Sequence, residues 1–155
     1  KEQDELVLDV WNGCNKSGHE LLLELILPES NPDRNESYYY DMLSHFYSLG
    51  IQPDWWKLPP LSAESWQAIS GLIEQNDPHC RGILLLGLDA PEETLKAGFA
   101  AAAQAPWVKG FAVGRTIFGQ PSRQWLNGEL DDKALIETVK GNYLRLIGYW
   151  RAARG

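Results

Sequence analysis

Leu21-Leu22-Leu23-Glu24-Leu25-Ile26-Leu27 is a nearly unbroken apolar run closed by Pro28. So short a run without polar alternation predicts a strand covered on both faces, as in a parallel sheet. Upstream, Asp4 to Lys16 carries Leu6, Val7, Val10, Trp11 and Cys14 at helical spacing, with Gly18 as a stop. Downstream, Ser37 to Leu49 places Tyr40, Leu43, Phe46, Tyr47 and Leu49 on one side of a helix that Gly50 closes. A helix, a strand and a helix are thus predicted around one apolar run.

The same plan repeats. Asp54 to Leu58 is a short strand stopped by Pro59-Pro60, and Ser62 caps a helix reaching Gln75. Gly82 to Gly87 is a strand. Ala90-Pro91-Glu92-Glu93 opens a helix with proline and carboxylates in its first turn, and that helix runs to about Ala105. Val108 to Gly114 is the last strand. A short helix over Pro121–Leu126 and a long one over Asp132–Ala153 complete the chain. Helices alternating with strands at this spacing imply right-handed βαβ crossovers and a parallel α/β sheet. A small flavodoxin-like sheet would satisfy that pattern. The leading helix and the short extra helix after the last strand instead favour the C-terminal half, strands five to eight, of a TIM-type (β/α)₈ barrel. A complete barrel needs about 250 residues, so residues 1–155 are expected to form one half-barrel domain without the first four βα units.

Composition narrows the function classes. The 155 residues are 44% hydrophobic and 23% charged, with a formal net charge of -7. An acidic chain with no basic run disfavours nucleic-acid binding. No apolar stretch approaches the roughly 20 residues of a membrane helix. The charged start Lys1-Glu2-Gln3-Asp4-Glu5 is unlike a secretory signal, so a cytoplasmic location is expected. The two cysteines, Cys14 and Cys80, lack metal-type spacing and are expected to be reduced thiols.

In βα enzymes the active site sits at the C-terminal ends of the strands, and that rule selects few residues here. Lys57 sits near such an end. A deprotonated lysine can attack a carbonyl and form a Schiff base; the alternative is a strand-end lysine whose head reaches solvent. Glu24 is the single charge in its apolar run, and a buried carboxylate needs a counter-charge, a proton or a catalytic task. Lys57, one βα unit away, is the natural partner. Gly114-Arg115-Thr116 follows the last strand, where a glycine admits a ligand to the backbone and an arginine grips phosphate bidentately. Gly87 would supply the companion loop. The alternative there is a structural turn with a surface arginine. Two weaker candidates are Asp89, which reads first as a helix cap, and Arg34, which reads first as a solvated loop charge. His19, His45 and His79 fall at strand starts or in a helix and take no role. The tryptophans are read as core, with Trp55-Trp56 near the pocket.

Four segments together carry a resemblance: His19–Glu24, Pro53–Leu58, Gly82–Pro91 and Gly110–Gly119. They resemble the aldolase-like domain of bacterial myo-inositol catabolism, which often follows a sugar-kinase domain in one polypeptide. The resemblance implies cleavage of 2-deoxy-5-keto-D-gluconate 6-phosphate to dihydroxyacetone phosphate and malonate semialdehyde. More distantly, the chain is similar to class I tagatose-bisphosphate aldolases. That likeness implies a Schiff-base role for Lys57, proton transfer by Glu24 and phosphate binding at Gly114-Arg115. No metal or other cofactor is implied, since the iminium is itself the electron sink. The alternative is a non-catalytic sugar-phosphate-binding module that regulates or assembles a fused kinase. Expected partners are the phosphorylated sugar acid, the remaining half of the barrel, a kinase domain and a second copy of the chain. The last follows because a half-barrel exposes two strand edges and one inner sheet face.

Overall fold

The computed structural model describes residues 2–28, 35–87 and 90–155. Ten elements run in order: α1 (Glu2–Ser17), β1 (Leu22–Glu24), α2 (Ser37–Ser48), β2 (Trp55–Leu58), α3 (Ala63–Asn76), β3 (Gly82–Leu86), α4 (Glu92–Ala102), β4 (Val108–Ala112), α5 (Arg115–Leu126) and α6 (Asp132–Arg154). The strands form one parallel sheet in the order β1-β2-β3-β4. Each crossover steps to the next strand in the same direction. Right-handed connections that never reverse direction put their helices on one face of the sheet; a flavodoxin-like sheet would reverse and cover both. Trp56, Leu58, Ile83, Leu85 and Val108 pack on that face against Leu43, Phe46, Ile69, Ile73, Leu95 and Phe99, all without appreciable exposure except Phe46.

Local chemistry explains the helix ends. Ser62 accepts a hydrogen bond from the Ser65 N–H, and Asp131 does the same for Ala134. Gly18 and Gly50 close α1 and α2 with φ of 71° and 75°, a backbone region where glycine alone is unstrained.

Two expectations are corrected. The strand expected over Leu21–Leu27 is only Leu22–Glu24 in the ladder, extended by single bonds from the Leu25 N–H to the Lys57 carbonyl and from the Trp55 N–H to the Leu21 carbonyl. It is not covered on both faces: Leu22 and Ile26 are 42% and 50% exposed while Leu21, Leu25 and Leu27 are buried. Period-2 alternation is present, but apolar residues occupy both phases of it. The last short helix begins at Arg115, six residues ahead of Pro121. Pro121 has no N–H to give the Ile117 carbonyl four residues back; the Asn142 side chain on α6 supplies that donor instead, Nδ2 to O at 2.8 Å. The helix therefore survives an interior proline. Helix α1 forms as expected, but it buries no residue fully, and Leu6 and Val10 of its apolar stripe face solvent. It is tied by Trp11 Nε1 donating to the Gln52 carbonyl and by an Asp4–His45 pair at 3.2 Å.

At the N-terminal end of the sheet, Asp77 is 1% exposed. Its Oδ1 accepts from the His79 N–H, and its Oδ2 meets no donor among the described residues. Burial raises its pKa above the ordinary 3.8. A carboxyl with a raised folded-state pKa favours folding while it is protonated, and that stability is lost as pH rises through the folded pKa. Asp77→Asn should therefore raise the urea midpoint at neutral pH and lose the gain below about pH 3. A midpoint that falls at neutral pH would show instead that the charged form is satisfied.

Candidate functional site

Parallel register places Leu22 opposite Trp55, Leu23 opposite Trp56 and Glu24 opposite Lys57. Residues so paired point to the same face. Lys57 and Glu24 therefore stand side by side on the open face, with Lys57 Nζ 3.1 Å from Glu24 Oε1. The row continues through Leu84, opposite Lys57, to Gly110, opposite Leu84. Gly110 ends the row without a side chain, which leaves space beside Leu84.

Above this row the strand ends enclose a cleft of about 300 Å³. It brings together Glu24, Lys57, Gly87, Gly114 and Arg115, five residues the sequence singled out. Ile26, Leu86, Ala112, Val113, Thr116 and Phe118 complete the lining. Ile26 was legible in principle, two positions beyond Glu24 on the same strand face. Phe118 lies four residues from Gly114 on one helical turn. Arg34 and Asp89 fall outside the described residues.

The glycines have work to do at the cleft. A Cβ on Gly87 would lie 2.9 Å from a Val113 methyl, so β3 and the end of β4 approach this closely only because residue 87 lacks a side chain. Beyond Gly114 the chain turns directly into α5, with the Ile117 and Phe118 N–H groups donating to the Gly114 carbonyl. The first turn of α5 is thus aimed at the cleft, and helix N-termini offer backbone donors and a positive dipole end to an anion. Arg115 is exposed there. Thr116 Oγ1 donates to the Ala90 carbonyl at 3.4 Å, joining the loop after β3 to the one after β4.

Glu24 is less desolvated than its apolar run suggested. Its side chain is 37% exposed, against 20% for Lys57, because β1 is an edge strand and the face it occupies is bare. A half-exposed ion pair contributes little to stability, typically about 0–1 kcal/mol. Its position at the mouth of a cleft is the more telling property. Together the two groups offer an amine and, within hydrogen-bond reach, a carboxylate able to take and return its proton.

Other groups are poor rivals. Burial pushes the Cys80 thiol up to about 12, so it holds almost no thiolate at neutral pH. Tyr47, which accepts a hydrogen bond from Trp56 Nε1, is likewise raised by burial. Trp56 is core; Trp55 lies on the open face and donates to Glu20. A larger groove of about 590 Å³ between α3 and α4 lies away from the strand ends, with Glu74 as its single charged residue. Among the described residues no group of three or more His, Cys, Asp and Glu is placed to hold a metal ion, and no helix is long and apolar enough to cross a membrane.

No curated protein matches the chain significantly. A family profile does match, across residues 1–154, and by that match the chain belongs to the family described as "Uncharacterized protein conserved in bacteria (DUF2090)".

Proposed function

We propose that this chain is the C-terminal half of a (β/α)₈-barrel aldolase that cleaves a phosphorylated keto sugar acid through a Schiff base on Lys57. The observation that carries the reading is the Lys57–Glu24 pair at 3.1 Å, set in one cleft with Gly87, Gly114 and Arg115. Supporting it, apolar side chains are exposed on β1 and just beyond it (Leu22, Ile26), on α1 (Leu6, Val10) and on α6 (Ile136, Tyr143, Leu144), as expected of a chain that packs against further βα units.

Glu24 takes a proton from Lys57, and the freed amine attacks the substrate ketone. Glu24 then returns that proton to the carbinolamine hydroxyl, which leaves as water. The resulting iminium draws the electrons of the breaking carbon–carbon bond while Glu24, again a carboxylate, takes the hydroxyl proton, releasing an aldehyde and leaving an enamine. Protonation at carbon and hydrolysis regenerate the lysine. The substrate consistent with the sequence resemblance is 2-deoxy-5-keto-D-gluconate 6-phosphate, giving malonate semialdehyde and dihydroxyacetone phosphate. The phosphate would lie against the Gly87 and Gly114-Arg115 loops.

The test is borohydride reduction with dihydroxyacetone phosphate in the protein carrying the complete barrel, followed by peptide mass analysis. The expected result is a covalent adduct on Lys57. Phosphate binding with no adduct would overturn the aldolase reading in favour of a sugar-phosphate-binding module serving a fused kinase. Arg115→Ala should raise KM roughly tenfold or more and change kcat less, as for loss of one charged hydrogen-bonding group. An unchanged KM would remove Arg115 from the site.

A further inference from the structure

The two loops that flank the cleft are joined at a distance from it by side chains of α6. Pro121 leaves the Ile117 carbonyl, in the first turn of α5, without its helical donor, and Asn142 Nδ2 donates to it at 2.8 Å. Asn142 Oδ1 accepts from Arg145 Nη2 at 3.1 Å. Arg145 in turn holds Glu92, in the first turn of α4, through a bidentate pair, Nε to Oε1 at 2.8 Å and Nη2 to Oε2 at 2.9 Å. Tyr149 adds a third hydrogen bond to Glu92 at 2.7 Å. Hydrogen bonds from Arg145 and Tyr149 hold the Glu92 carboxyl below the usual carboxylate range, so the clamp is charged at neutral pH.

Glu92 follows the Gly87 loop, and Ile117 follows Gly114-Arg115. A single helix thus grips the first turns that carry both loops. The Arg145–Glu92 pair is substantially exposed, so its contribution to global stability is small, whereas its planar, bidentate geometry is directional. Thr116 Oγ1 donating to the Ala90 carbonyl bridges the same two segments from the cleft side.

We propose that Asn142 and Arg145 are positioning residues, through which α6 sets the spacing between Ala90–Glu92, at the start of α4, and the Gly114-Arg115 turn. Their effect on ligand affinity rests on the reading of the two loops that flank the cleft as a phosphate cradle; the spacing itself does not. Substrate contact is not part of their role.

The experiment compares backbone amide shifts and inorganic phosphate affinity in the full chain and its N142A, R145A and P121A variants. N142A and R145A should move the amides of Ala90 and Glu92 and those of residues 115–117 together and weaken phosphate binding roughly tenfold, with little change in Tm. R145A leaves the Asn142–Ile117 bond in place and so tests the link to α4 alone. P121A restores the ordinary helical donor to the Ile117 carbonyl, and in that background N142A should lose most of its effect on residues 115–117. Shifts confined to one of the two turns, or an undiminished N142A effect in the P121A background, would overturn the proposal. If the unsubstituted chain binds no phosphate, the cradle reading fails, and the joint movement of the two turns still decides whether these residues position them.

Discussion

Lys57→Met should abolish borohydride-dependent labelling by dihydroxyacetone phosphate and lower turnover by roughly a thousandfold or more, as when a covalent nucleophile is removed. Methionine approximates the length and apolar stem of lysine, so packing beside Leu84 on the same sheet face should persist. Glu24 loses its partner in this variant, but it is part-exposed, so solvent relieves the unpaired charge and the fold should survive. Glu24→Gln should behave differently. The amine remains, yet proton transfer through carbinolamine dehydration slows, by about 10²–10⁴ for loss of a general acid–base. Labelling should then form slowly instead of vanishing. Lys109→Met is the control: Lys109 is exposed at the other end of its strand and donates to the Pro106 carbonyl. Labelling that persists in Lys57→Met and disappears in Lys109→Met would overturn the assignment.

The second large effect is association. The 17.5 kDa chain should form a dimer at micromolar concentration, with light scattering giving about twice the monomer mass. Leu22 and Ile26 on the bare sheet face, Leu6 and Val10 on α1, and Ile136, Tyr143 and Leu144 on α6 are all substantially exposed. Fully burying such a side chain contributes about 1.5–3 kcal/mol. Several residues, each counted twice across a twofold interface, are enough to compete with the roughly 4–15 kcal/mol that association costs. Two halves facing each other would set β4 of one copy beside β1 of the next and cover both edges. Leu22→Glu combined with Ile26→Lys should return the chain to monomer, because both substitutions lie on the face to be buried. A dispersed monomer at high micromolar concentration would show that the open face is tolerated in water.

What the residues alone determined was the order of elements, the parallel α/β class and the small set of groups at the strand ends. Those properties are local. Apolar runs, proline stops, the Ser62 cap and the Gly18 and Gly50 closures act within a few residues of themselves, and the strand-end rule then picks out Lys57, Gly87, Gly114 and Arg115. Glu24 was visible as a lone charge in an apolar run. The tertiary structure decided which face of β1 is bare, because leucine and isoleucine occupy both phases of the strand and look alike whether they meet a helix or water. It decided that Glu24 is part-exposed and 3.1 Å from Lys57, since that depends on register between strands one βα unit apart. It also decided where α5 begins. Read locally, Pro121 marks a helix start; only packing against α6 brings Asn142 to the carbonyl that the proline leaves without a donor, 25 residues away in sequence and one hydrogen bond away in space.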